Sequence, residues 1–126
     1  MPRRRGRWKG AVGISPNWFV VGVLLLLISE KPSHGYEIIS RMSEFGFNID
    51  GIGKMGNLYR LFSELEMNGL IVSSWDTTSP GPAKKIYHIT PQGLFFLKNI
   101  QNSAFELEKN LEKFLKRCKK INQEGI

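Results

Sequence analysis

The sequence predicts a mainly helical α+β chain with one small β-hairpin. Three observations lead to this class. Helical patterns bounded by capping and stop signals fill the first half, the strand-like runs "LIVSSW" and "KIYHI" follow, and a heptad pattern fills the C-terminal part. This order is that of a winged helix-turn-helix followed by a long dimerisation helix. We divide the chain into a flexible basic arm (residues 1–14), the winged helix-turn-helix DNA-binding domain (15–90) and the C-terminal dimerisation helix (91–126).

Composition favours an anionic partner. The 126 residues include 18 Lys+Arg against 11 Asp+Glu, a formal net charge of +7, and a domain this basic most often binds nucleic acid or an anionic membrane surface. The single cysteine, Cys118, excludes an internal disulfide and favours a cytoplasmic location. The apolar run "WFVVGVLLLLIS" is too short to cross a bilayer and no signal cleavage site follows it, so we expect a buried helix and no membrane partner.

The first two helices are predicted from their caps. Ser15, followed by proline, should begin a helix that ends near Glu30 and is apolar nearly all round, so that it lies between two layers. Ser33 should cap a second helix, from about His34 to Phe45, with Phe45 facing inward. The stretch "FNIDGIGKMG" that follows predicts one short strand and a loop.

The third helix has the clearest pattern. In "MGNLYRLFSELEMNGL" the apolar residues Leu58, Leu61, Phe62 and Leu65 recur at i, i+3, i+4 and i+7, and the opposite face is small or polar. On a major groove, Arg60 suits guanine, Asn57 suits adenine, and Tyr59 or Ser63 suits a phosphate. A solvated helix face is the alternative interpretation. The helical part of the predicted DNA-contacting set is Lys54, Asn57, Tyr59, Arg60 and Ser63, with Tyr36 from the second helix.

The stretch "TTSPGPAKK" between the two strands predicts a wing. Pro80, Gly81 and Pro82 make a stiff loop, which loses little entropy when it meets a partner. Lys84 and Lys85 at its base suit phosphates or a minor groove. At the other end of the chain Arg3, Arg4 and Arg5 form either a solubilising tail or an arm laid along nucleic acid.

A last helix should begin at Thr90-Pro91 and continue to about Ile121. Its apolar residues are spaced alternately three and four apart, which is the pattern of a helix that pairs with another helix. The predicted dimer interface consists of Leu97, Ile100, Ala104, Leu107, Leu111, Phe114 and Cys118, with Trp18 of the first helix.

Four fragments, in order, resemble the PadR family of transcriptional regulators across roughly residues 20–97. They are a Gly-Tyr-Glu-Ile start of the second helix, a Gly-x-Leu-Tyr-x-x-Leu third helix, a Leu-Glu-x-x-Gly-Leu-Ile junction and a Gly-Pro wing that ends in Tyr-x-Ile-Thr-x-x-Gly. Their residues are Gly35, Tyr36, Glu37, Ile38; Gly56, Leu58, Tyr59, Leu61; Leu65, Glu66, Gly69, Leu70, Ile71; and Gly81, Pro82, Lys84, Lys85, Tyr87, Ile89, Thr90, Gly93.

The resemblance implies a homodimeric regulator of double-stranded DNA, often a repressor and in several branches responsive to a small-molecule effector. It also implies that the last helix packs against the partner's first and last helices. Only one helix follows the wing, as in the short branch of the family. Some ligand-binding members use a tryptophan in that helix for flat aromatic drugs, and this chain has none after Trp75. The lack of that tryptophan argues against a pocket for flat aromatic drugs.

Other functions fit the sequence less well. "GIGKMG", with Asp76 further on, matches a dinucleotide fingerprint, but the preceding buried strand and the length for a doubly wound sheet are missing. His34 and His88 are the only histidines, and no metal spacing or carboxylate pair stands out, so we predict no enzyme, cofactor or metal site. An architectural DNA-binding protein with weak sequence preference, and a protein-binding winged helix, remain open alternatives.

Overall fold

The structure, a computed structural model, describes residues 17–47, 52–78 and 80–123. It confirms the mainly helical fold with a small sheet and a long last helix. The elements, in chain order, are α1 (Asn17–Glu30), β1 (Ser33–His34), α2 (Gly35–Arg41), a 3₁₀ helix (Met42–Phe45), α3 (Ile52–Met67), β2 (Ile71–Asp76), β3 (Lys84–Ile89) and α4 (Pro91–Gln123).

Helix α1 is the centre of the hydrophobic core. Leu24, Leu25, Leu27 and Ile28 are completely buried, and the helix contacts α2, the 3₁₀ helix, β3 and α4. An apolar stretch with no polar stripe has no side that it can present to water, and it is stable only when neighbours cover it all round. The expectation that this helix lies between two layers is therefore confirmed.

The second helix is shorter than predicted. Ser33 is buried in β1 and its hydroxyl donates to the carbonyl oxygen of Lys31, so it does not cap the helix; His34 occupies the N-cap position. The α-helix ends at Arg41 and continues as a 3₁₀ helix up to Gly46, whose φ of 85° stops it. In this tighter turn Phe45 is 39% exposed, so the prediction of an inward Phe45 was wrong.

The sheet has three antiparallel strands in the order β1-β3-β2. We predicted only the β2–β3 hairpin and placed a further short strand in "FNIDGIGKMG". That placement was wrong for residues 52–56, which begin α3, while residues 48–51 lie outside the described part of the chain. The third strand is instead β1, where Ser33 pairs with Tyr87 and His34 with Ile86. Two residues are too few to show an alternating pattern, so the sequence gives no strand signal here. They form a strand only because they pair with the free edge of β3.

Thr90, just before α4, links the start of this helix to the residues before β2. Its N–H donates to the carbonyl oxygen of Leu70 at 3.1 Å, and its hydroxyl lies 2.7 Å from the carbonyl oxygen of Gly69. The same hydroxyl accepts from the N–H of Gly93 at 3.0 Å, which is the N-cap bond expected from Thr90-Pro91. The first turn of α4 is thus held against the end of α3 and the start of β2.

Helix α4 packs on α1 through its first part. Ile100 is 9% exposed and Leu97 packs against the core. Gly22 of α1 makes this approach possible, because a Cβ there would lie 2.7 Å from Cγ2 of Ile100. Beyond Ala104 the apolar residues of α4 other than Cys118 are exposed in the isolated chain.

We expect Gly93→Ala to destabilise the fold. The added methyl group would run into the carbonyl oxygen of Leu70 and lie 2.7 Å from Cγ1 of Ile89, so the α4 start must move. The free energy of unfolding, measured by urea denaturation, should fall by about 1–3 kcal/mol. Gly56→Ala is the matched control: no described atom lies within 4 Å of its new methyl group, and the helix should gain up to about 1 kcal/mol. Equal effects of the two substitutions would contradict this account.

Candidate nucleic-acid interface

Helix α3 has one face in the core and the opposite face in water. Phe62 is completely buried, and Leu58 and Leu65 are 8% and 4% exposed. The i, i+3, i+4, i+7 spacing directs these side chains to one stripe, so the rest of the helix surface is free for a partner. Gly56, Asn57, Arg60, Ser63 and Glu64 are exposed on that free surface.

An aromatic stack joins α3 to the wing, a name that from here on covers the β2–β3 hairpin together with the loop between its strands. The ring of Phe62 stacks on Tyr87 of β3, with centroids 4.7 Å apart and an angle of 10° between the ring planes. The Tyr59 ring also packs on Phe62, with centroids 5.8 Å apart. Gly35 sits against all three rings: a Cβ there would lie 2.9 Å from Tyr59 and 3.4 Å from each of the other two. The absence of a side chain at Gly35 therefore allows α2, α3 and β3 to meet.

A second contact fixes the wing to the end of α3. The carboxylate of Glu66 accepts hydrogen bonds from the hydroxyl of Ser73 at 2.6 Å and from its N–H at 3.2 Å. Hydrogen bonds to a charged acceptor are among the stronger ones in proteins.

The Tyr87 phenol stays neutral. Burial raises its pKa, and the nearby Glu66 carboxylate reinforces the shift.

The outer part of the wing is tied to α2 through His34. Its Nε2 lies 3.1 Å from Oδ2 of Asp76 on β2, and its Nδ1 lies 3.5 Å from Oε1 of Glu37. Asp76 also accepts from the hydroxyl of Thr78 at 2.7 Å and from its N–H at 3.0 Å. The Thr78 bonds, and then the bond to His34, lower the pKa of Asp76 to about 2. A fixed carboxylate thus holds the root of the wing loop.

A concave surface opens between the start of α2, α3 and the wing, and we call it the wing-base hollow. It encloses about 660 Å³. The hollow brings together four of the predicted DNA-contacting residues from three elements. Its lining residues are His34, Gly35, Tyr36, Glu37, Tyr59, Lys84, Lys85 and Tyr87.

The remaining predicted DNA-contacting residues lie elsewhere. Asn57, Arg60 and Ser63 are on the exposed face of α3 outside the hollow, and the Ser63 hydroxyl lies 3.4 Å from the carbonyl oxygen of Tyr59, to which it donates. Lys54 falls in the first turn of α3. The arm residues Arg3, Arg4 and Arg5 lie outside the described part of the chain. Donors, acceptors and cations are thus arranged along α3 and around the wing base.

The predicted dimer residues divide into two groups. Ile100 and Leu97 pack against the core of their own chain, and we remove Ile100 from the proposed interface because it is already covered. Leu107, Leu111 and Phe114 are 37%, 46% and 60% exposed. Between the second part of α4 and the start of α1 runs an apolar groove of about 810 Å³, lined by Trp18, Phe19, Ala104, Leu107, Glu108, Lys109, Leu111, Glu112 and Leu115. Cys118, further along α4, is partly exposed.

Comparison with known proteins shows the family of the chain. A family model described as the transcriptional regulator PadR-like family matches residues 23–99. The chain belongs to the PadR-like family. The resemblance found from the four sequence fragments is therefore confirmed, and the protein is a PadR-like, DNA-binding regulator of transcription.

Solved structures share the fold of this PadR-like chain. A crystal structure of a conserved protein of unknown function, described as a potential transcriptional factor, has a TM-score of 0.71 and 45% identity, and the match covers 84% of this chain and 92% of that one. The PadR-like transcriptional regulator of Bacillus cereus has a TM-score of 0.66 and 28% identity, with 76% and 90% covered. An uncharacterized protein of Lysinibacillus sphaericus is 31% identical over 93 residues, which cover 74% of this chain and 84% of that protein.

Several residues that shape the candidate interface were missed by sequence reasoning. Glu66 and Ser73 are seven positions apart across a turn, and no local rule pairs them. The contact between His34 and Asp76 spans 42 positions and exists only because β1 joins the sheet. By contrast, Asp76-x-Thr78 is a common turn pattern, in which an aspartate accepts from the backbone two residues on, and could have been recognised.

None of the described helices is long and apolar enough to cross a membrane.

The lowered pKa of Asp76 makes a testable prediction. Because this pKa is about 2 in the folded regulator, against 3.8 for an ordinary aspartate, the carboxylate stabilises the fold above about pH 4. That stabilisation is lost as the pH falls through 2. The difference in unfolding free energy between the wild type and Asp76→Asn should therefore be largest near neutral pH and shrink below pH 4.

Carboxyl-carbon NMR measures the same effect directly. Thr78→Val removes the hydroxyl that is the largest cause of the shift, so the pKa of Asp76 should rise towards 3.8. Thr78→Ser keeps the hydroxyl and is the control, with an expected pKa close to that of the wild type. An Asp76 pKa of 3.8 in the wild type would show that the Thr78 and His34 contacts are not formed in solution.

Proposed function

We propose that the protein is a sequence-specific regulator of double-stranded DNA that acts as a homodimer, as a repressor and in the cytoplasm. The observation that carries the proposal is the shared exposure of the polar face of α3 and of the lysines at the wing base. A helix whose core face is fixed can enter a major groove with the other face, while the wing lies on the flanking backbone. The protein acts by binding and needs no cofactor.

The proposed roles follow from side-chain chemistry. Arg60, exposed near the middle of α3, has the planar fork that suits the O6 and N7 acceptors of guanine, and Asn57 suits adenine. Lys84 and Lys85 neutralise phosphates without reading a base. Tyr36 and Tyr59, 66% and 40% exposed at the hollow, supply hydroxyl groups to the backbone.

The proposed dimer uses the second part of α4. Its exposed apolar residues and the groove beside Trp18 form one surface that a second α4 can cover, which agrees with the three-and-four spacing. Two copies related by a two-fold axis would place their α3 helices in successive major grooves about one turn apart. A repressor of this kind binds an inverted repeat and excludes the transcription machinery.

Selection of bound sequences from a random duplex pool at physiological salt tests the proposal. An enriched inverted repeat is expected, and its half-site spacing gives the distance between the two α3 helices. Tight binding with no enriched motif would favour the architectural alternative, for which the net charge of +7 is the supporting observation. Absence of binding would reject both.

Base-reading and phosphate-binding residues should give different signatures. Arg60→Ala should weaken binding to the selected sequence by about 1–3 kcal/mol and relax one base position, with little effect on unrelated DNA. The double substitution Lys84→Ala, Lys85→Ala should weaken binding to all sequences and lower the slope of log K against log salt by about one to two units. Fluorescence anisotropy at several salt concentrations measures both. Equal loss on every sequence for Arg60→Ala would remove its base-reading role, and an unchanged slope would remove the lysines from the interface.

The α4 surface makes a separate prediction about assembly. Leu111→Glu places a charge in the proposed seam and should raise the dimer dissociation constant at least about 30-fold, since loss of one buried leucine costs about 2–5 kcal/mol. Asn102→Glu is the matched control, because Asn102 is exposed nine residues before Leu111, which places it on the opposite side of the same helix. Sedimentation velocity measures both variants. A monomeric Asn102→Glu, or a Leu111→Glu that remains dimeric, would place the interface elsewhere.

A further inference from the structure

Trp75 is a large aromatic residue that the core does not use. It is 64% exposed, next to the last position of β2, where the strand leaves the body of the protein for the wing loop. An exposed tryptophan at the end of a strand carries apolar surface that a partner can cover. The sequence motifs and the proposed interface described above assign it no role.

The wing has two faces, and Trp75 is on the face that packs against α3. Side chains alternate along a strand, so Trp75 shares its face with Ile71, which is buried, and with Ser73, which binds Glu66 of α3. Across the ladder, Tyr87 pairs with Ser73 and stacks on Phe62 of α3, while Lys85 pairs with Trp75. Trp75 and Lys85 are therefore the next pair outward on the α3 side of the wing.

The two side chains of this pair contact each other. The Nζ of Lys85 lies over the Trp75 ring, 5.7 Å from its centroid, which is a cation–π contact. Asp76, the next residue, projects from the opposite face of the strand and is engaged by Thr78 and His34. The outer end of the wing thus presents an indole and an ammonium group side by side towards the space beside α3.

We propose that Trp75 is a DNA-contacting residue. Its indole packs against a deoxyribose of the DNA backbone beside the major groove that α3 enters, and its N–H donates to an oxygen of that DNA backbone. The inference rests on the proposed DNA-binding function. Lys85 beside it pairs with the adjoining phosphate, so one wing end combines an apolar and an ionic contact to the same strand. Neither contact reads a base, so the effect of Trp75 is the same for every sequence.

Charge decides between DNA and a second protein copy as the occupant. Lys84 and Lys85 lie at the same end of β3, and a second wing placed on Trp75 would bring their like charges together. A phosphate backbone instead attracts both lysines while the sugar covers the indole. The exposed apolar surface of Trp75 and the neighbouring cations therefore match a nucleic-acid strand.

Substitution of Trp75 should weaken DNA binding without changing its salt dependence. With a fluorescent duplex of arbitrary sequence, Trp75→Ala should bind about three- to tenfold more weakly, and Trp75→Phe should lie between it and the wild type. The slope of log K against log salt should stay as in the wild type, because no charge is lost. Val72→Ala, on the same strand, 49% exposed and on the other face, is the control and should bind like the wild type.

Fluorine NMR of protein labelled with 5-fluorotryptophan tests the contact in the unsubstituted protein. The chain has three tryptophans, and the Trp75 resonance is assigned by its absence in Trp75→Phe. On addition of the same duplex this resonance should shift and lose its sensitivity to D₂O. The Trp75→Ala variant should keep the sedimentation coefficient of the wild type.

Each contrary outcome has a distinct meaning. A Trp75 resonance that does not change on duplex binding, or an unchanged affinity of Trp75→Ala, overturns the Trp75 contact alone. A reduced salt slope would show that the substitution acts through the lysines, and a change in oligomeric state would show that Trp75 meets a second copy; either overturns the proposal. If the wild type binds no duplex, the proposed function and the Trp75 contact fail together.

Discussion

The stacking of Phe62 on Tyr87 fixes the angle between α3 and the wing. The rings lie 4.7 Å apart and nearly parallel, one in the middle of α3 and the other in the central strand of the sheet. Gly35 allows α2 to approach both rings, and the Glu66–Ser73 hydrogen bonds hold the far end of the helix to the next strand. These contacts set the polar face of α3 and the lysines of the wing base on one side of the molecule. In the proposed function a single DNA duplex contacts both.

Helix α1 connects this unit of α2, α3 and the wing to α4. Its surface is apolar all round, and it is covered by the sheet and α2 on some sides and by α4 on another. Ile100 rests on Gly22 without an intervening side chain. In the proposed dimer, contacts along α4 therefore act on the distance between the two α3 helices through a single packed core. Cores of native density transmit such displacements because they have little room to absorb them.

Prediction from the sequence succeeded where one local pattern was sufficient. The three-and-four spacing of Leu58, Phe62 and Leu65 identified α3, and the Thr90-Pro91 signal identified the start of α4. It failed where the signal was non-local. β1 is two residues long and becomes a strand only because β3 has a free edge. A separate failure was local: Phe45 is exposed because the helix tightens to 3₁₀ before Gly46.

The sequence by itself determined the helical class, the order of the main elements and the family, because spacing, caps and short motifs are properties of neighbouring residues. It also indicated the exposed residues of α3 and the lysines of the wing. Only the tertiary structure decided that Ile100 belongs to the chain's own core and that His34 contacts Asp76. It also decided that Trp75 lies on the side of the wing that packs against α3. These results depend on strand register and helix approach, which arise when residues distant in the sequence are packed together.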